Sequence, residues 1–207
     1  PDAWNEGCDI ACQENSGLML DAFPSHAAAS VDTDGDGYPD AWNEGCDIAC
    51  QENSGLMLDA FPNSSTEWAD SDGDGVGDNA DAFPYNAAAS IDTDGDGYPD
   101  AWNEGCDIAC QENSGLVLDA FPNHAAASVD TDGDGYPDAW NEGCDIACQE
   151  SSGLVLDAFP NHAAASVDTD GDGYPDAWNE GCDIACQESS GLVLDAFPNH
   201  AAASVDT

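Results

Sequence analysis

Lysine and arginine are absent from this 207-residue sequence, which carries 44 aspartates and glutamates and a formal charge of −44. Folded surfaces normally mix both signs of charge, and repulsion on this scale opposes a compact state unless cations are bound. The charge therefore argues against nucleic acid and anionic membrane surfaces as partners, and it favours metal cations. No apolar run reaches the roughly 18 residues that a spanning helix needs, so we expect no membrane insertion within this sequence.

The sequence is a tandem repeat built on the segment VDTDGDGYPDAW, which begins at Val31 and returns almost unchanged. The steps between copies indicate long units of 38 residues and one short unit of 22. The short unit keeps the aspartate segment and a DAFP tail but lacks 16 residues that the long units insert between them. The predicted units are 1–31 (a partial long unit), 32–69, 70–91 (the short unit), 92–129, 130–167, 168–205 and 206–207 (the start of another).

Both ends of the sequence fall inside this repeating pattern. Pro1 corresponds to Pro39 in the middle of a unit, and Thr207 corresponds to Thr131 just inside an aspartate segment. We therefore expect the sequence to be part of a longer polypeptide, with units that each contact mainly their neighbours.

Each aspartate segment fits the pattern of a calcium-binding loop. Such a loop places carboxylates at positions 1, 3, 5 and 9, glycine at position 6 for a sharp turn, and a carbonyl ligand at position 7. An all-oxygen ligand set favours calcium over magnesium, which prefers a stricter octahedron, and over zinc, which prefers nitrogen and sulfur. The predicted loop ligands are Asp32, Asp34, Asp36, Tyr38 and Asp40; Asp70, Asp72, Asp74, Val76 and Asp78; Asp92, Asp94, Asp96, Tyr98 and Asp100; Asp130, Asp132, Asp134, Tyr136 and Asp138; and Asp168, Asp170, Asp172, Tyr174 and Asp176.

The residue that closes each loop is less clearly specified by the sequence. In the short unit, position 12 is Asp81. In the long units, alignment with the short unit favours Asp59, delivered from beyond the insertion, whereas counting along the loop gives Asn43 or the adjacent Glu44. The favoured closing ligands are Asp59, Asp81, Asp119, Asp157 and Asp195, with Asn43 and Glu44 as the alternatives.

Ten cysteines form five CDIAC segments, and their even number and fixed spacing suggest an oxidising, extracellular setting. Two cysteines four residues apart on a helical turn lie within reach of a disulfide, which favours a bridge inside each unit. Bridges between adjacent units and a zinc site of four thiolates are the alternatives. The predicted pairs are Cys8–Cys12, Cys46–Cys50, Cys106–Cys110, Cys144–Cys148 and Cys182–Cys186.

The stretches DSDGDGVGDNADAFP and DTDGDGYPDAW resemble thrombospondin type 3 repeats, in the form found in bacterial surface and secreted proteins. The resemblance covers every loop and DAFP tail, roughly half of each long unit. It implies calcium-wrapped modules with little regular structure that often serve as stalks or spacers. The 16-residue insertion departs from the family, because the animal repeats place cysteine just after the final aspartate whereas both cysteines here lie inside the insertion.

The expected fold is a repeat array with little regular secondary structure, in which calcium-wrapped loops and short helical turns, stapled by disulfides, form an elongated rod or solenoid. Large apolar side chains are too few for an independent core in each unit, so staples are required. Pro39 predicts a helix start, with a turn or two through Cys50. Leu56–Leu58 is expected to be extended, and the Ala-Ala-Ala-Ser runs are expected to be linkers or single turns.

The leading hypothesis for function is an extracellular structural stalk or fibre stiffened by calcium, with further copies of itself as filament partners. An adhesin that binds carbohydrate or a surface through Trp42 and its repeats, and a calcium-storage protein, are the alternatives. Catalysis is not expected, because the acids recur as ligands and the four histidines, such as His26, are expected to be exposed. Asn63 begins the one acceptor triplet for N-glycosylation.

Overall fold

The computed structural model describes residues 1–6 and 8–204, in two compact units, Pro1–Ser90 and Ile91–Thr207. Regular secondary structure is sparse, as the sequence predicts, and the described residues contain no strand. The predicted start of a further repeat at 206–207 lies outside the described residues. The five helices are α1 (Ile10–Ser16), α2 (Ile48–Ser54), α3 (Ile108–Ser114), α4 (Ile146–Ser152) and α5 (Ile184–Ser190).

Each helix lies inside the insertion and is bounded by its own sequence. Asp47 caps α2, because its side chain accepts a hydrogen bond from the backbone N–H of Cys50. Gly55, with φ of 72°, ends the helix in the left-handed conformation that glycine adopts without strain. The same aspartate and glycine bound all five helices.

The helix predicted from Pro39 is wrong. The Pro39 carbonyl instead accepts a hydrogen bond from the backbone N–H of Asp59, 2.9 Å away, and the N–H of Asp40 donates to Val31. Gly45, with φ of 87°, then turns the chain before the helix begins. The segment is therefore committed to bonds with distant residues and cannot form helical ones.

Five disulfides join the two cysteines of each CDIAC segment, and no described cysteine is free. This is the pairing within each unit that the spacing favours. In α2 the bridge links Cys46, just before the capping Asp47, to Cys50 in the first helical turn. The disulfide therefore restrains the N-terminus of the helix, which the Asp47 cap also orders.

The alanine runs form turns, which confirms one of the two expected forms, and they are buried, so they are not exposed linkers. Ala29 and Ala127 are fully buried, and Ser128, which follows the second run, is fully buried as well. The backbone N–H of Asn43 donates to the Ala28 carbonyl at 2.7 Å, so the run packs against the start of the following insertion. Small side chains let these backbones approach closely. Besides alanine methyl groups and main chain, the buried parts of the described residues include the rings of Pro39, Pro99, Pro137 and Pro175 and the side chain of Phe23.

The two segments that flank the insertion are joined by a backbone hydrogen bond. Asp59, the first residue of the tail, donates its backbone N–H to the carbonyl of Pro39 in the aspartate segment at 2.9 Å, and Asp119 donates to Pro99 in the same way. In the short unit, which has no insertion, the N–H of Asp81 donates to Gly77 at 2.9 Å. The backbone of the tail aspartate therefore bonds to the aspartate segment whether or not the insertion is present.

Candidate metal centres

The position-1 aspartate organises each loop. Asp32 accepts backbone N–H groups from Gly35 and Gly37 on its two carboxylate oxygens, at 2.6 and 3.0 Å. Gly37 has φ of 98°, a left-handed conformation that other residues rarely adopt. The loop that results brings one carboxylate oxygen from each of positions 1, 3 and 5 within 4.8 Å of one another.

All five loops contain this triad. Carboxylates this close repel one another unless a cation or protons neutralise them, so each triad could hold a metal ion. The triads are Asp32, Asp34 and Asp36; Asp70, Asp72 and Asp74; Asp92, Asp94 and Asp96; Asp130, Asp132 and Asp134; and Asp168, Asp170 and Asp172.

The position-9 aspartate faces back across the loop. Asp40 accepts the backbone N–H of Thr33 at 2.9 Å and its hydroxyl at 2.5 Å, one on each carboxylate oxygen. In the short unit, Asp78 accepts both groups of Ser71 at 2.7 Å. Both oxygens of the carboxylate are therefore used in fastening the loop, and ligation by position 9 stays a prediction.

The tail aspartate lies buried beside the triad. Asp59 is only 6% exposed, and one of its oxygens accepts the backbone N–H of Phe61 at 2.7 Å. The other oxygen, Oδ2, is buried and has no hydrogen-bond partner. The same unpaired Oδ2 occurs in the tail aspartate of every described loop: Asp59, Asp81, Asp119, Asp157 and Asp195.

Burial raises the pKa of four tail carboxyls, those of Asp59, Asp81, Asp119 and Asp157. The pKa of Asp119 rises to about 6, chiefly because the charged form is desolvated, with further contributions from the nearby charges of Asp96 and Asp94. Asp157 behaves alike, with a pKa of about 6, and the pKa of Asp59 is raised by the same causes. A buried carboxylate of this kind is stabilised by a proton or by a cation.

The alternative closing residues are placed elsewhere. The side-chain amide of Asn43 donates to the Ala27 carbonyl and to the Ser30 hydroxyl, at 3.1 and 2.8 Å, and its oxygen accepts from the same hydroxyl. Glu44 is exposed. Asn43 therefore packs on the alanine run that precedes the loop, and the carboxylate that lies beside the triad belongs to Asp59.

The chemistry of the donor set fits a hard cation. Besides Asp59, position 3 of the loop also presents an unpaired buried oxygen, the Oδ2 of Asp34. In the loop that begins at Asp130, both carboxylate oxygens of Asp132 are buried and unpaired. The unpaired carboxylate oxygens belong to the loop and to the tail, and an oxygen-only donor set suits calcium or magnesium rather than zinc.

The sequence reasoning missed the residues that hold the position-5 aspartate. The Oδ2 of Asp96 accepts the hydroxyl of Ser128 at 2.5 Å and the side-chain amide of Asn141 at 2.6 Å. Ser166 and Asn179 hold Asp134 in the same way. The sequence feature that could have indicated these bonds is the serine that lies two residues before the loop of each long unit.

The family model of the bacterial TSP3 repeat matches four segments of the chain, residues 32–42, 92–102, 130–140 and 168–178. These four segments are bacterial TSP3 repeats. The resemblance read from the aspartate segments is therefore confirmed. Each match covers the loop of a long unit and stops before the insertion, and no curated protein and no solved structure matches the chain.

TSP3 repeats are calcium-binding structural repeats rather than an enzyme family, and proteins that carry them are typically extracellular. Within the described residues, no helix has the length and apolar character required to cross a membrane. The combination of TSP3 repeats, aspartate triads and disulfides makes the chain a tandem repeat protein with sites that could hold metal ions.

Proposed function

We propose that this chain is an extracellular structural protein, a stalk or fibre whose repeats are held in shape by calcium. The observation that carries the proposal is the buried tail aspartate of each repeat, exemplified by Asp59, with an unpaired oxygen beside the triad. An ion bound there would join the loop to the far end of the insertion. Binding would thus order about 30 residues of each long unit in one step.

Calcium in each loop would be held by the position-1, -3 and -5 aspartates, the position-7 carbonyl and the tail aspartate, with position 9 in support. Calcium supplies positive charge and six to eight flexible oxygen contacts. Five ions would offset 10 of the 44 negative charges, which leaves the chain strongly acidic. We expect affinities in the extracellular range, with dissociation constants of roughly 10⁻⁴ to 10⁻³ M.

The test is small-angle scattering and circular dichroism of the chain in calcium and after chelation with EGTA. A stalk should give a stiff, extended scattering profile in calcium that becomes flexible when the ion is removed. Magnesium at equal concentration serves as the control, because it should restore the profile only weakly. A chain with the same profile in both conditions would refute the proposal, and ion uptake without stiffening would favour calcium storage.

One observation favours the adhesin alternative. A cleft of about 340 Å³ is lined by Tyr136, Trp178 and Glu180 among others, and its two aromatic rings could stack on a sugar. A spacer should tolerate Trp178→Leu, which keeps a large apolar side chain without an aromatic ring, whereas an adhesin should lose binding to a glycan array. The proposal also includes filament formation by further copies of the chain, which sedimentation in calcium tests. It includes glycosylation at Asn63, which the intact mass of the protein tests.

A further inference from the structure

We infer that Ser128 and Ser166 are positioning residues that couple ion binding in one repeat to the docking of the next. The inference rests on the proposed calcium binding. Each serine follows a buried alanine run and is itself completely buried. Its hydroxyl has the position-5 carboxylate of its own repeat as its acceptor, Asp96 for Ser128 and Asp134 for Ser166.

The second donor comes from the following repeat. Asn141 lies in the unit after Asp96, and its side-chain amide donates to the Oδ2 of Asp96 and to the hydroxyl of Ser128, both at 2.6 Å. The backbone N–H of Asn141 also donates to the Ala126 carbonyl at 2.8 Å. The carboxylate, hydroxyl and amide thus form a closed triangle across the junction between two long units.

The triangle fixes the orientation of a proposed ligand. The Oδ1 of Asp96 accepts the backbone N–H of Tyr98 at 2.9 Å, so both of its oxygens are held before any ion arrives. Partners that orient a metal ligand typically contribute 10–100-fold to metal affinity. If the junction holds Asp96 in the orientation that binds the ion, the bound ion must likewise stabilise the junction with Asn141, since coupling between two equilibria is reciprocal.

The chain contains a loop without this arrangement. In the loop that begins at Asp32, the Oδ2 of Asp36 is buried and has no hydrogen-bond partner. The residue two positions before the next loop is Trp68 instead of serine. Ion binding at that loop is therefore not coupled to a serine and an asparagine through its position-5 carboxylate.

The test compares calcium binding by the full chain and its S128A/S166A variant in isothermal titration calorimetry. We expect the number of bound ions to stay the same and two of them to bind roughly tenfold more weakly. S30A is the matched control, because the Ser30 hydroxyl accepts from the Asn43 amide as Ser128 does from Asn141, but it donates to the Asn43 side-chain oxygen and has no described bond to a loop carboxylate. It should leave every calcium affinity unchanged.

A second measurement separates coupling from simple packing. Loss of packing alone would lower the melting temperature equally with and without calcium, whereas lost coupling should shrink the rise in melting temperature that calcium produces. If S128A/S166A does not fold without the ion, the single variants S128A and S166A replace it, and each should weaken one ion. If S128A/S166A binds calcium with the same affinities as the unmodified chain, the inference about the two serines is wrong and the proposed function is unaffected. An unmodified chain that binds no calcium would overturn the proposed function.

Discussion

The position-5 aspartate has two different surroundings in this chain. In the Ile91–Thr207 unit, Asp96 is held by the hydroxyl of Ser128 and the amide of Asn141. In the Pro1–Ser90 unit, the corresponding Asp36 keeps one buried oxygen without a partner. The serine position is occupied by tryptophan there, so the chain contains a polar version and an aromatic version of the same connection.

The aromatic version keeps a backbone hydrogen bond of the polar version. Trp68 accepts the backbone N–H of Ala60 at 2.9 Å, as Ser128 accepts that of Ala120 at 2.8 Å. The indole stacks on Tyr38, with ring centroids 5.0 Å apart and ring planes 3° from parallel. The asparagine of the following short unit also differs, because the Asn79 amide donates to the Thr66 carbonyl. The loop is thus joined to its surroundings through a ligand carboxylate in one version and through an apolar ring in the other.

The largest expected effect comes from removing the tail carboxylate, which both versions share. Asp59→Ala and Asp119→Ala should each abolish one calcium site, because each removes the unpaired buried oxygen beside a triad. Calorimetric titration measures the loss as one fewer ion per chain. Asn43→Ala is the control and should retain all ions. Loss of an ion in Asn43→Ala but not in Asp59→Ala would show that the loop closes at position 12 instead.

Reduction of the disulfides should have the next largest effect and should spare the short unit, which has no cysteine. Each ring is small, so its contribution is about 2 kcal/mol on the chain-entropy estimate. Treatment with a phosphine reductant in calcium should therefore fray helices α1 to α5 and weaken calcium binding in the long units, whose tail aspartates follow these helices, while the short unit keeps its affinity. Far-UV circular dichroism measures the helices, and calcium titration of the reduced chain measures the loops. Unchanged affinity in the long units would show that the insertion and the loop are independent.

The periodic features of this fold are accessible from sequence because local chemistry determines them. Aspartate at position 1 and glycine at position 6 specify the loop, and a spacing of four places the cysteines within bonding distance. The helix start was missed because Pro39 and Asp40 bond to residues distant in sequence, Asp59 and Val31. Periodicity within a window cannot show such bonds.

The candidate site likewise has parts that the sequence indicates and parts that depend on contacts between distant residues. Alignment of the short and long units favoured Asp59 as the closing ligand, and this stays a prediction; in the structure Asp59 is buried, and its pKa is raised by desolvation and by the charges of Asp36 and Asp34. The buried alanine runs were missed because small side chains signal flexibility in a sequence, whereas here they permit close backbone packing. The bond from Ser128 to Asp96 spans 32 residues, and only its regular recurrence could have indicated it.

A smaller effect is expected from Trp68, which distinguishes the two versions. Trp68→Ala removes the ring stacked on Tyr38 and should destabilise the Pro1–Ser90 unit by about 0.5–1.5 kcal/mol beyond the lost apolar burial. Trp68→Phe keeps an aromatic ring and should recover most of that loss. Chemical denaturation in calcium measures the difference between the two variants. Equal stability of Trp68→Ala and the unmodified chain would mean that the stack contributes nothing.

The smallest expected effect is a pH dependence that reverses when calcium is added. The pKa values of Asp119 and Asp157 are raised from 3.8 to about 6 in the folded, metal-free chain, because burial disfavours the charged form. The folded state therefore keeps protons that the unfolded state has released, so stability should fall as pH rises from about 4 to about 6. Calcium competes with these protons, so the stabilisation it adds should instead weaken as pH falls through about 6. Thermal unfolding of metal-free and calcium-loaded chain across this range measures both slopes, and slopes of the same sign would show that the buried carboxyls and the ion sites are separate.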